Sequence, residues 1–271
     1  MTTFTHTVTD SNTMLRRNLR HMLRYPVLTV LTIGTPVILL LIFVYVFGGT
    51  LGNGLPTGAT GSAPSADTGT AAYLRYVVPG ILLIAIVMSA QGTAISVAMD
   101  MREGIVARFR TMAISRASVL TGHVIGAVAQ TLISVVVVFV VAVALGFRTS
   151  TDIGSLIAAL GTLALVALAI TWLAVGMGIA AKSVESASNT PMILLLLPFL
   201  SSGFVPTDSM PSAIAWFAQH QPFTPFIETV RALLLGTPMG NNALETVLWC
   251  VGLSVVGYVW SMRLYNKSSL A

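Results

Sequence analysis

The densest chemistry in the chain sits in DMREGIVARFRTM, residues 100–112, where Asp100, Arg102, Glu103, Arg108 and Arg110 crowd together although only 8% of all residues are charged. The stretch holds no Ser/His/Asp set and no His or Cys, so its chemistry is pairing rather than turnover. Gly104 lies between DMRE and RFR. Ile105, Val106 and Phe109 suit an apolar pocket, while the arginines suit acids at its rim, which together describe a docking element. The plain alternative is a solvated turn.

Elsewhere the chemical inventory is thin. Gly176 to Ser183 reads GMGIAAKS, near the phosphate-binding loop G-x-x-x-x-G-K-[ST], but Ala181 stands where the second glycine belongs and an apolar run precedes it. No other Lys offers such a loop, so the chain is expected to lack an ATPase site of its own, to be no enzyme by itself and to hold no catalytic residue. His123 falls at the end of an apolar run with no acid within a helical turn; His6, His21 and His220 are scattered. No metal constellation results, and no cofactor is expected on this chain. The single cysteine, Cys250, excludes an intrachain disulfide framework.

The elements that must position the charged island follow from composition. With 55% hydrophobic residues in 271, there is too little polar surface to clothe a water-soluble globule. The expected fold is an all-α integral membrane protein, one domain over residues 1–271, with six transmembrane helices at 27–47, 77–99, 119–145, 155–181, 190–205 and 246–262. Twenty-one residues at about 1.5 Å each reach about 31 Å, the thickness of a hydrocarbon core. Each charge at a helix centre costs about 2.5–3.5 kcal/mol, so the island lies in water or against another protein. Pro198 interrupts the fifth span, which is also the shortest. Pro36 and Pro191, in the runs TPVILLL and TPMILLL, whose likeness reads as chance in an apolar alphabet rather than a repeat because neither flank extends it, are candidate pathway or kink positions together with Pro198.

Six spans put both termini on one side. Of 14 Lys and Arg, all but Arg75, Arg148 and Arg231 fall on that side, which makes the termini and the island cytoplasmic. The basic balance therefore reads as topology and attraction to anionic lipid rather than nucleic-acid binding. The N-terminal apolar run is too long for a secretory signal and is kept as a span. Before it, residues 13–26 place Arg16, Arg17, Arg20 and Arg24 on one stripe and Leu15, Leu19 and Met22 on another, the pattern of an interfacial helix anchored among headgroups. On the opposite side, residues 48–70 form a Gly/Ser/Thr-rich linker. Residues 206–240 alternate prolines with amphipathic stretches bearing Trp216, Phe217, Phe223 and Phe226, which fits re-entrant or interfacial helices.

Several stretches together resemble a known family: MLRRNLRHMLRYP (14–26), TPVILLLIFVYVFGG (35–49), YVVPGIL (76–82), DMREGIVARFRTMAISRASVLTGH (100–123) and the run from Ser201 to Gly240. They are similar to the membrane subunits of type-2 ABC exporters, nearest to the daunorubicin-resistance-type drug and lipid permeases of actinobacteria. The likeness runs from Met14 to Tyr265, and D-M-x-x-G-I-x-x-R-F-R-T-M is its most specific part. The 48–70 loop departs from it, carrying no family motif. The resemblance implies a permease in a bacterial plasma membrane that exports a hydrophobic or amphipathic drug or lipid. Its partners would be two separate ATPase chains, which hold ATP and Mg, and a second permease chain, as a homodimer. Residues 100–112 would be the coupling helix, placing Asp100, Arg102, Glu103, Gly104, Arg108, Phe109 and Arg110 at the ATPase interface, and spans one, two and five would line the pathway or the dimer contact. Two rival readings share the composition: an ion-gradient carrier and a non-transporting scaffold. The lack of ionisable groups inside the spans weighs against the first.

Overall fold

A computed structural model describes residues 26–51, 69–102 and 116–267. The expected interfacial helix 13–26, apart from Pro26, and residues 103–112 of the expected coupling helix lie outside them. All regular structure among the described residues is helical. Among the described residues five helices are long and apolar enough to cross a membrane.

Helix α1, Pro26–Ile42, begins on a proline, whose missing amide costs nothing in a first turn. Buried Pro36 does not end it. The helix instead changes register further on, in a π-helical turn at Phe43–Phe47 that leads into Gly48–Leu51. Helix α2, Thr70–Arg102, is a single unbroken run of 33 residues, about 50 Å long. It extends the expected 77–99 span at both ends. It is also the central rod, packed against most of the other described helices. Two thirds (67%) of its most apolar window is buried, against 17% in the last helix. Small residues in its sequence, Ala85, Ala90 and Ala94, admit neighbours on every side and are fully covered.

Helices α3, Arg116–Ala144, and α4, Ile153–Ala180, match the expected third and fourth spans within three residues. Asp152 caps α4: its carboxylate accepts from the Ser155 amide (3.3 Å) and hydroxyl (2.7 Å). Those bonds, the hydroxyl's first, hold the Asp152 carboxyl below its usual range. A depressed folded-state pKa gives a contribution that is complete above the unfolded value and vanishes as pH falls through the folded one. Asp152→Ala is therefore expected to lower the melting temperature of detergent-solubilised protein at neutral pH, with the gap from the parent closing on acidification below about pH 3.9; a gap that stays constant with pH would rule the cap out.

The expected fifth span, 190–205, is broken by turns. It holds only an eight-residue helix, α6, Met192–Phe199, preceded by α5, Val184–Asn189. Eight residues rise about 12 Å, short of the roughly 30 Å hydrocarbon core. The reason is local. Pro191 sits at the start of α6, Pro198 in its last turn, and the chain then turns through buried Ser201, Ser202, Gly203 and Phe204. Two prolines and a glycine within 13 residues cannot sustain one continuous helix.

After that turn come a 3₁₀ turn at Thr207–Ser209, helix α7, Ser212–His220, and helix α8, Phe223–Leu235, ended by Gly236 in the left-handed region at φ 71°. The last helix, α9, Asn242–Lys267, is longer than the expected 246–262. It packs chiefly on α4, where Gly257 and Gly176 let the two helices close on Trp172 and Trp260. Its other face exposes Leu244, Val247, Leu248, Val251, Val255 and Val256, the surface a lipid-facing helix presents.

Candidate functional site

The two ends of α2 carry the polar contacts that join distant parts of the chain. At its C-terminal end, Asp100 and Arg102 occupy the last turn, from which the chain enters the charged island. An Arg102 Nη2 hydrogen donates to the carbonyl of Lys182, in the link between α4 and α5. At the end of that link, Ser183 and Ser186 cap α5 reciprocally, each hydroxyl accepting the other's amide at 3.0 Å. A hydrogen bond from Ser183, with the Arg102 charge adding to it, holds the exposed Glu185 carboxyl below the usual range. Further along α2, Gln91 Nε2 donates to the Ser188 carbonyl at 2.8 Å. The C-terminal part of α2 is therefore tied to the 182–188 segment through Gln91 and Arg102. Glu103, Gly104, Arg108, Phe109 and Arg110 lie outside the described residues, as do Arg16, Arg17, Arg20 and Arg24.

At the N-terminal end of α2, Arg231 of α8 is 4% exposed. Sequence reasoning had counted it as a loop charge on the side opposite the termini. It is a buried one instead. Its Nη1 pairs with Glu228 at 2.5 Å, and its Nη2 donates to the carbonyls of Ser202 (2.8 Å) and Tyr76 (3.1 Å). The guanidinium carbon also lies 4.1 Å from the centre of the Tyr76 ring. Pro79, with no amide to donate, weakens the α2 ladder in this turn, and Arg231 supplies a donor beside that weak point. The only local hint was Glu-x-x-Arg within the apolar run FIETVRALLL; nothing in it revealed the partners.

The 201–204 turn is held from other directions as well. A Cβ on Gly80 would come within 3.0 Å of the Gly203 carbonyl oxygen, so α2 and the turn meet backbone to backbone. Gln221 Nε2 donates to the Leu197 and Leu200 carbonyls at 2.9 and 3.0 Å, closing the open end of α6. Phe204 stacks on Phe199, ring centres 4.9 Å apart, and lies 4.6 Å from Phe43 in the π-helical turn. Pro36, Pro191 and Pro198 are each buried, Pro198 in the last turn of α6 just before these contacts.

The GMGIAAKS run is not a phosphate loop. Gly176 and Gly178 lie in the last turns of α4, where a Cβ on either would strike α9 or α2 at 2.6 Å. Among the described residues no cluster of three or more His, Cys, Asp or Glu is placed to hold a metal ion. What the arrangement offers is mechanical: a central helix with a charged handle at one end and a buried arginine fastening at the other.

The family model for the ABC-2 type transporter matches residues 10–235. The chain is 27% identical over 263 residues to the daunorubicin resistance ABC transporter permease protein DrrB1 of Streptomyces coeruleorubidus, covering 97% of this chain and 88% of that protein. It is 24% identical over 196 residues to the probable doxorubicin resistance ABC transporter permease protein DrrC of Mycobacterium tuberculosis, covering 72% of this chain and 71% of that one. A match across most of the chain, joined to several apolar helices around a central rod and a charged segment leaving it, shows that this multi-pass membrane protein belongs to the ABC-2 type transporter family as a permease subunit.

Proposed function

We propose that the chain is the conduit of a bacterial plasma-membrane exporter whose work comes from ATP and Mg bound on two separate ATPase subunits, with a second copy of this permease completing the pathway. The observation that carries the reading is the placement of the charged island: it leaves the C-terminal end of α2, the helix most buried among its neighbours. A push on residues 100–112 is thereby applied to the core of the bundle rather than to its edge. Asp100, Arg102, Glu103, Gly104, Arg108, Phe109 and Arg110 form the docking knob, with Phe109 as its apolar anchor. Both termini face the cytoplasm, following the Lys/Arg count. That requires an even number of crossings, and the broken element α5–α6 supplies the sixth: 16 residues at about 1.5 Å rise about 24 Å, enough with local thinning of the bilayer or support from α2. Arg16, Arg17, Arg20 and Arg24 lie along the inner headgroups.

The substrate is hydrophobic or amphipathic, a drug or a lipid, because the helices offer an apolar path without ionisable groups at mid-membrane. The names of the relatives point the same way. In proteoliposomes carrying this chain and its ATPase subunit, daunorubicin is expected to move only when both proteins and ATP are present. Movement by the chain alone, driven by an ion gradient, would establish the carrier reading instead. Binding of the ATPase subunit with no flux of daunorubicin or fluorescent phospholipid would establish the scaffold.

A further inference from the structure

We propose that Arg231 is a positioning residue that fastens the segment 200–235 to the N-terminal half of α2, so that displacement of α2 is delivered to the face where substrate leaves. The inference rests on the exporter reading and its orientation.

A guanidinium shielded from water is tolerated when its charge is paired and most of its N–H groups are matched. The two terminal nitrogens of Arg231 are matched by groups from three different elements, while its buried Nε–H has no partner among the described residues. Glu228 belongs to its own helix, the Ser202 carbonyl to the turn after α6, and the Tyr76 carbonyl and ring to α2. One nitrogen, Nη2, donates to both carbonyls, so α2 and the turn cannot separate without leaving the buried cation short of a partner. A planar fork with several fixed donors can make this junction; a single ammonium point charge makes it poorly. The backbones have no slack there either, since Gly80 and Gly203 already touch.

The position of the junction gives it a role beyond packing. Helix α2 is continuous from Thr70 to Arg102, and its far end is held by Arg102 to the Lys182 carbonyl. A helix transmits axial and rocking motion along its length because its backbone bonds resist stretching. Motion imposed beside residue 102 therefore arrives at residue 76, and the Arg231 junction passes it to the turn and to α8. Without the junction, α2 would still move but would slide past the exit segment.

The test uses the complete complex with its ATPase subunit, in a Cys250→Ala background with a reporter thiol introduced by Ser212→Cys, an exposed position at the start of α7. A membrane-impermeant maleimide added from outside reads the reporter in nucleotide-free and ATP–vanadate states, and daunorubicin flux is measured in parallel. With Arg231 present, the labelling rate is expected to differ about fivefold or more between the two states, the scale of a typical coupling between sites. Arg231→Gln is expected to keep assembly and basal ATP hydrolysis, lose the nucleotide-dependent difference and lose most flux, with Arg231→Lys recovering part of both. Loss of a purely structural contact would lower stability without the Lys-reversible loss of nucleotide response. Persistence of the labelling difference and flux in Arg231→Gln would overturn the proposal. If the Gln variant does not assemble, Arg231→Lys decides: a reduced nucleotide response in an assembled complex supports the junction, and a response and flux equal to the parent refute it. Absence of ATP-dependent flux in the parent complex would instead remove the exporter reading itself.

Discussion

Gly104→Pro and Phe109→Asp are each expected to bring ATP-dependent export down to background while leaving the amount of protein in the membrane unchanged. Proline at 104 fixes φ and removes an amide in the middle of the charged segment, so a docking helix cannot keep its shape. Aspartate at 109 puts a carboxylate where the segment offers its only aromatic anchor; losing an anchor of this kind costs about 2 kcal/mol or more, roughly a 30-fold weaker contact. Membrane insertion depends on apolar length in helices that contain neither residue. The measurements are copurification with the ATPase subunit, stimulation of its hydrolysis and daunorubicin flux. Should both variants stimulate hydrolysis and export at the parental level, residues 100–112 are a solvated turn and the drive enters elsewhere.

Gly178→Val should prevent the folded permease from accumulating. A Cβ at this position would lie 2.6 Å from the backbone oxygen of Ala94 and 3.1 Å from the Cβ of Val97. Neither atom can rotate away, so α2 and α4 must separate over their contact, and α2 is the helix on which most others rest. Overpacking in a core usually costs about 1–3 kcal/mol and more when backbone has to move, a large part of a total stability of about 5–15 kcal/mol. Two other glycines of α4 serve as comparisons. At Gly176 the nearest atom is Cε3 of the Trp260 ring, also at 2.6 Å, and a side chain can swing aside, so Gly176→Ala should be milder. At Gly161 a Cβ meets nothing within 4 Å, and Gly161→Ala should be neutral or stabilising by about 0.5–1 kcal/mol through helix propensity. Thermal melts of detergent-purified variants would show this order; equal melting temperatures for Gly178→Val and Gly161→Ala would mean that α2 and α4 do not pack as described.

Helix limits are legible in the sequence where apolar length alone decides them. Helices α3 and α4 lie within three residues of their expected limits, because a run of about 20 apolar residues has one low-energy arrangement in lipid. At 190–205 hydropathy marks an apolar run but not where it breaks: Pro198 signals an interruption in the sequence, and only the structure shows the run divided into the short helix α6 and the turn that follows it. The expected span also stops short at α2, whose helix continues through Arg75 and Asp100 since backbone hydrogen bonding persists beyond the hydrocarbon. The charged island was conspicuous by composition, and its start at Asp100 and Arg102 proved to be the last turn of the central helix.

Apolar runs, their lengths and the uneven placement of Lys and Arg were enough, by themselves, to make this a multi-pass membrane protein with a charged segment after its second span, since partition into lipid is decided locally, residue by residue along the chain. Only the tertiary structure made α2 the axis of the bundle and turned Arg231 from a loop charge into a buried fastening. Its carbonyl partners lie 155 and 29 residues away along the chain, and which distant backbone atoms face a given side chain depends on how all the helices pack at once.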